Sequence, residues 1–182
     1  MLTLNACASV GTVRFNVNAP SVSSFAFIDA RQNYEKVTSS FREGKRIVIQ
    51  VGDDHFKPPV PVILQTKLQE KLAHKLSSKE IVLTKLSIQV KLRDTPIDES
   101  GYNTAVRGLD PVSELLSRWV IVGFDRRKAF KEIDLELLGT VGSETFQASG
   151  NTMYQENEEE EIRQVILTAI EQTIVSIENI IK

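Results

Sequence analysis

The chain has 182 residues, 41% of them hydrophobic and 25% charged, with a formal net charge of −2. One cysteine excludes an internal disulfide, and one cysteine with two histidines makes a Cys/His zinc site improbable. No run of about 18 apolar residues occurs, which excludes a spanning helix within this sequence. Nine Gly and six Pro are too few for a low-complexity chain.

Residues 1–24 lack helical periodicity and are rich in Ser, Asn, Ala and Val. They are expected to form a flexible leader, with a single domain over residues 25–182. Residues 25–31 read as a strand with Phe25 and Phe27 on one face, and residues 32–44 as a polar connection. Residues 47–51 alternate as a second strand that Gly52-Asp53-Asp54 ends. Pro58, Pro59 and Pro61 suit a helix entry. Beyond them Leu64, Leu68, Leu72 and Leu76 mark one face of a helix ending near Ser77. Residues 81–94 form the longest strand candidate. Ile81 and Leu83 are out of parity with Leu86, Ile88, Val90 and Leu92, so a β-bulge near Thr84-Lys85 is needed to bring both sets to the core.

Residues 95–108 read as a long loop, and Asp110-Pro111 caps an amphipathic helix carrying Val112, Leu115, Leu116, Trp119 and Val120. Ile133, Leu135 and Leu137 alternate with acids in a strand with one wet face. Gly142-Ser143 turns it into a partner over residues 145–154. The last helix has Asn157 as cap, Glu160 three residues later, and a stripe running from Ile162 to Ile181. The expected class is therefore α+β: a mainly antiparallel sheet with two to three helices packed on one face.

The net charge divides unevenly. Residues 1–91 hold 13 Lys/Arg against 7 Asp/Glu, and residues 92–182 hold 9 against 17, a balance of +6 and −8. The two halves are expected to pack together and neutralise each other. Lys67, Lys71, Lys75 and Lys79 recur every fourth residue beside the leucine stripe. They form either a solvated flank or a basic ridge for an anionic partner such as lipid headgroups, lipopolysaccharide or an acidic protein. Asp53, Asp54 and His55 bring carboxylates and a histidine together, which is the pattern of a turn and, as a weaker reading, of a small metal-dependent hydrolase. Arg126, Arg127, Lys128 and Lys131 with Phe124 and Phe130 are too short a patch to suggest nucleic-acid binding. No phosphate-cradling glycine motif and no nucleophile elbow is present. No cofactor, metal site or catalytic residue is expected. The final helix is long enough for Ile177, Ile180 and Ile181 to protrude as an interface with an envelope protein or a second copy.

The segment Leu4-Asn5-Ala6-Cys7-Ala8 resembles the lipobox of bacterial lipoproteins, in which small residues precede a cysteine that is acylated after cleavage. Asn5 departs from the usual pattern, and no basic or apolar signal region stands ahead of Leu4 in this sequence. With the element order, the motif is similar to small Gram-negative envelope lipoproteins of the YajG and LptE kind. The resemblance rests on Leu4 to Cys7 in motif and on topology elsewhere. It implies a domain on the periplasmic face of the outer membrane, tethered through lipid on Cys7 and acting in assembly or binding, not catalysis. Ala8 is similar to the pattern for outer-membrane sorting. The alternative is an unanchored, cytoplasmic homo-oligomer.

Overall fold

The computed structural model describes residues 12–17, 23–43, 46–92, 131–154 and 158–182. Cys7, the expected loop and helix over residues 95–120, the Arg126–Lys128 cluster and the Asn157 cap lie outside the described residues. Eight strands and three helices are described: β1 (Val13–Arg14), β2 (Ala26–Asp29), α1 (Asn33–Lys36), β3 (Ser39–Glu43), β4 (Arg46–Gln50), β5 (Phe56–Lys57), α2 (Val60–Leu76), β6 (Glu80–Leu92), β7 (Lys131–Val141), β8 (Glu144–Tyr154) and α3 (Glu158–Ile180).

Strict alternation in β6, β7 and β8 sets the frame. Most of their apolar residues fall on one face, where Ile81, Leu86, Ile88, Val90, Ile133, Leu135, Leu137, Phe146 and Ala148 are buried, while Val82, Leu138 and Met153 have the opposite parity. The register shifts between Leu83 and Lys85. That bulge turns Ile81 and Leu83 inward beside Leu86 and Ile88, as the parity mismatch requires. The tight turn after β7 is made by Gly142 at φ +60, a conformation that disfavours a side chain. The six-stranded sheet has the order β3-β4-β6-β7-β8, mostly antiparallel. β2 runs parallel to β6 over residues 80–83, while β4 pairs antiparallel with residues 89–91. Because β7 covers the other side of β6, β2 and β4 share one edge and leave a notch between them.

Both long helices lie on the apolar face. α2 contributes Ile63, Leu64, Leu68, Leu72 and Leu76 to the core, and α3 contributes Ile162, Val165, Ile166, Ala169, Ile170, Ile174 and Ile177. The fold is α+β, with a mostly antiparallel sheet and three helices among the described residues. Among the described residues no helix is long and apolar enough to cross a membrane.

Two parts of the sequence behave differently from expectation. Residues 32–44, read as a connection, contain α1 and β3. Ser39–Glu43 carries a single apolar residue, Phe41, so the strand is made by its five pairings with β4 and not by its own pattern. Residues 12–17, read as part of the leader, are docked on the body. Val13 pairs with Phe56 in a two-stranded parallel ribbon, β1-β5, and is fully buried. The Phe15 and Phe56 rings lie 6.5 Å apart, and Arg163 of α3 donates to the Arg14 carbonyl at 3.0 Å.

Candidate functional site

The notch between β2 and β4 receives Arg31, whose side chain is almost wholly buried. Asp29 accepts from its Nε and Nη2, each at 2.8 Å, and Asp53 accepts from Nη1 at 3.2 Å and Nη2 at 2.7 Å. Burial disfavours the guanidinium charge, but these two carboxylates outweigh it and push the Arg31 pKa up. Burial also opposes the Asp29 charge, yet hydrogen bonds and charge from Arg31 hold its carboxyl below the ordinary value. Beside this clasp, the Gly52 N–H donates to Thr38 Oγ1 at 2.9 Å, and Thr38 Oγ1 donates to Asp54 at 2.7 Å. A Cβ on Gly52 would stand 2.5 Å from the Thr38 nitrogen, so the two segments approach as closely as they do only because position 52 is glycine.

These bonds settle where Asp53, Asp54 and His55 stand. They form a 3-10 turn after β4 in which Asp53 faces Arg31, Asp54 faces Thr38 and His55 lies 3.7 Å from Asp54. Among the described residues no group of three or more His, Cys, Asp or Glu could hold a metal ion. The trio closes a turn.

The clasp holds α1 over one end of the sheet's second face. On that face β6 presents Lys85, Ser87, Gln89 and Lys91, with β7 supplying Asp134 and Glu136 and β8 supplying Ser149 and Asn151. With Gln50, Ser39 and Phe41 from β4 and β3, and Tyr34 and Glu35 from α1, they line an open groove of about 660 Å³. That volume lies within the roughly 300–1,000 Å³ of small-molecule sites. Lys85 pairs with Glu136 at 2.6 Å and Lys91 with Asp134 at 2.5 Å, and each acid raises its lysine's pKa. Asn151 donates to Glu132 and Asp134.

The inner end of the groove is chemically unusual. Gln50 is 6% exposed; its Oε1 accepts from Ser87 Oγ at 3.0 Å, but its buried Nε2 has no partner among the described residues. Such a donor costs about 1–3 kcal/mol. Nearby Glu35 is 3% exposed, and burial pushes its carboxyl up from the ordinary range despite the Gln32 N–H it accepts and the charge of Arg31. The lining residues include no histidine or cysteine, and Ser87 donates to an amide instead of a base. The groove therefore offers hydrogen-bonding groups without an activated nucleophile.

The remaining predicted residues are distributed elsewhere. Lys67 pairs with Glu70 at 2.8 Å, Lys71 with Glu171 at 2.5 Å and Lys75 with Glu178 at 2.7 Å, while Lys79 is exposed beyond the helix end. Two of the four lysines are thus joined to α3 and not presented as a free ridge. Lys71, Lys75, Lys85 and Lys91 all meet acids from the second half of the chain, so the basic and acidic halves pair their charges at these four points. Ile177 is fully buried in the core, and Ile180 and Ile181 are partly buried against it. Ile177 is therefore core and not available as an interface: α3 continues along α2 to its end, so the helix does not overhang at that turn. The groove was missed because its residues come from six separate elements, and only the polar alternation of β6 and β7 marks its floor.

Comparison with known protein families, curated proteins and solved structures returns no match.

Proposed function

We propose that the chain is a non-catalytic binding domain of a bacterial envelope lipoprotein, held at the membrane through acylated Cys7 and using the open sheet face as its working surface. The observation that carries the binding role is the groove with Gln50 Nε2, which has no partner among the described residues, at its inner end. Natural cores keep such a group at a cost in stability, and a ligand oxygen that completes the bond accounts for its retention. The location rests on the lipobox resemblance at Leu4 to Cys7. Five residues separate Cys7 from the docked Val13, and the six steps of chain between them reach at most about 20 Å. An anchor there keeps the body close to the membrane surface.

Labelled palmitate supplied to expressing bacteria tests the anchor. Incorporation into the wild type that disappears in Cys7→Ser is the expected result; no incorporation in the wild type overturns the lipoprotein assignment.

A further inference from the structure

We infer that the groove takes a neutral, polyhydroxylated ligand, a short oligosaccharide. The inference rests on the reading of the groove as a binding surface and names its ligand class.

Charge is the first argument. Lys85 and Lys91 are already paired with Glu136 and Asp134, and Glu35 adds a further acid at the inner end. An anionic ligand would have to take both ammonium groups from their carboxylates while facing Glu35. Phosphates and carboxylates are thereby disfavoured. Two lysines, Lys85 and Lys91, stand against the three acids Glu35, Asp134 and Glu136, which leaves no strong field for a cation.

Hydrogen-bonding capacity is the second. Gln50 Nε2 requires an acceptor, Ser149 can both donate and accept, and Ser87 and Asn151, whose donors are engaged with Gln50, Glu132 and Asp134, can accept. Sugar hydroxyls do both at once, whereas an acyl chain would strand all of these groups without partners. A peptide is less suited, because the groove lies on the face of the sheet, whereas strand addition needs an edge.

The rim supplies the third. Tyr34 is 69% exposed and Phe41 46% exposed, an expensive way to leave two aromatic rings beside a polar floor. Flat C–H faces of sugar rings stack on such side chains while their edges hydrogen-bond, a combination this floor and rim provide together.

The test is an amide chemical-shift titration of the full chain with four probes: chitotriose, maltotriose, trialanine and inorganic phosphate. At least one of the saccharides is expected to shift Gln50, Ser87 and Tyr34, with affinity reduced about tenfold or more in Gln50→Ala and abolished in Ser149→Trp, which fills the groove from an exposed position. Shifts with trialanine or phosphate alone overturn the saccharide assignment and leave the groove standing as a binding site. No shift with any probe, or saccharide shifts that both variants retain, overturns the assignment and removes the groove from the binding reading as well.

Discussion

Arg31 and Asp53, 22 positions apart, are joined by two hydrogen bonds of 2.7 and 3.2 Å that fasten the turn after β4 to the segment after β2. Asp29 occupies the remaining side of the same guanidinium. The clasp therefore fixes both strands that share one edge of β6, and with them the position of α1 at the end of the groove. Lysine keeps the charge but cannot reproduce the planar fork. Arg31→Lys is expected to cost about 2 kcal/mol, and Arg31→Ala about 3–5 kcal/mol, by urea unfolding. A change within about 0.5 kcal/mol for either variant, the level of an ordinary surface substitution, contradicts this role.

The clasp and the groove give opposite pH signatures. Asp29 has its folded pKa below the ordinary 3.8, so its contribution is present above that value and is lost as pH falls through the folded one. Glu35 has its folded pKa above the ordinary 4.5, so its penalty is absent below 4.5 and complete once pH rises past the folded value. Asp29→Asn should flatten the acid limb of the stability curve. Glu35→Gln should raise stability at pH 7 and leave pH 3 unchanged. Urea midpoints across pH 2.5–8 check both, and a Glu35→Gln variant less stable at pH 7 would refute the burial argument.

Lys71 and Glu171 join α2 to α3 across 100 positions, with both side chains about half exposed. A double-mutant cycle should give a coupling of about 0.2–1 kcal/mol that fades in 1 M salt. Charge reversal of Lys71 alone should be destabilising, and Lys71→Glu with Glu171→Lys should restore most of the loss. No restoration would mean that the two side chains do not meet in solution.

Gly52 is the tightest backbone approach in the clasp. An added Cβ would meet the Val37 carbonyl carbon and the Thr38 nitrogen at 2.5 Å, and these are main-chain atoms that cannot rotate aside. Gly52→Ala should cost about 2–3 kcal/mol, within the range of overpacking, and a thermal melt close to that of the wild type would show that the strand and the turn can separate cheaply.

Local pattern carried most of the fold. The leucine stripe of α2, the isoleucine stripe of α3, the alternation of β6 to β8 and even the bulge at Leu83–Lys85 are legible because each is a periodicity within one element. β3 and the β1-β5 ribbon are not, since their stability comes from partners distant in sequence: Phe41 with Val48, and Val13 with Phe56. The same distinction governs the site. Lys67 to Lys79 read either as a solvated flank or as a basic ridge because Glu171 and Glu178 lie about 100 residues away. Asp53 and Asp54 read as chemistry or as a turn, and only Arg31 and Thr38 decide for the turn. Gln50 ends a strand whose other residues are apolar, apart from Arg46 at its start, and nothing local distinguishes its amide from a solvated one. Its importance emerges only when β4, β6 and α1 come together.

Urea unfolding of Gln50→Met tests the central claim, that the groove is maintained for a ligand at the expense of stability. Methionine is close in size and carries no donor to leave unpaired, while Ser87 remains partly exposed to water. The variant is expected to match the wild type or exceed it by about 1 kcal/mol. A loss of about 1 kcal/mol or more would show that the Gln50 amide supports the fold itself and would contradict the account.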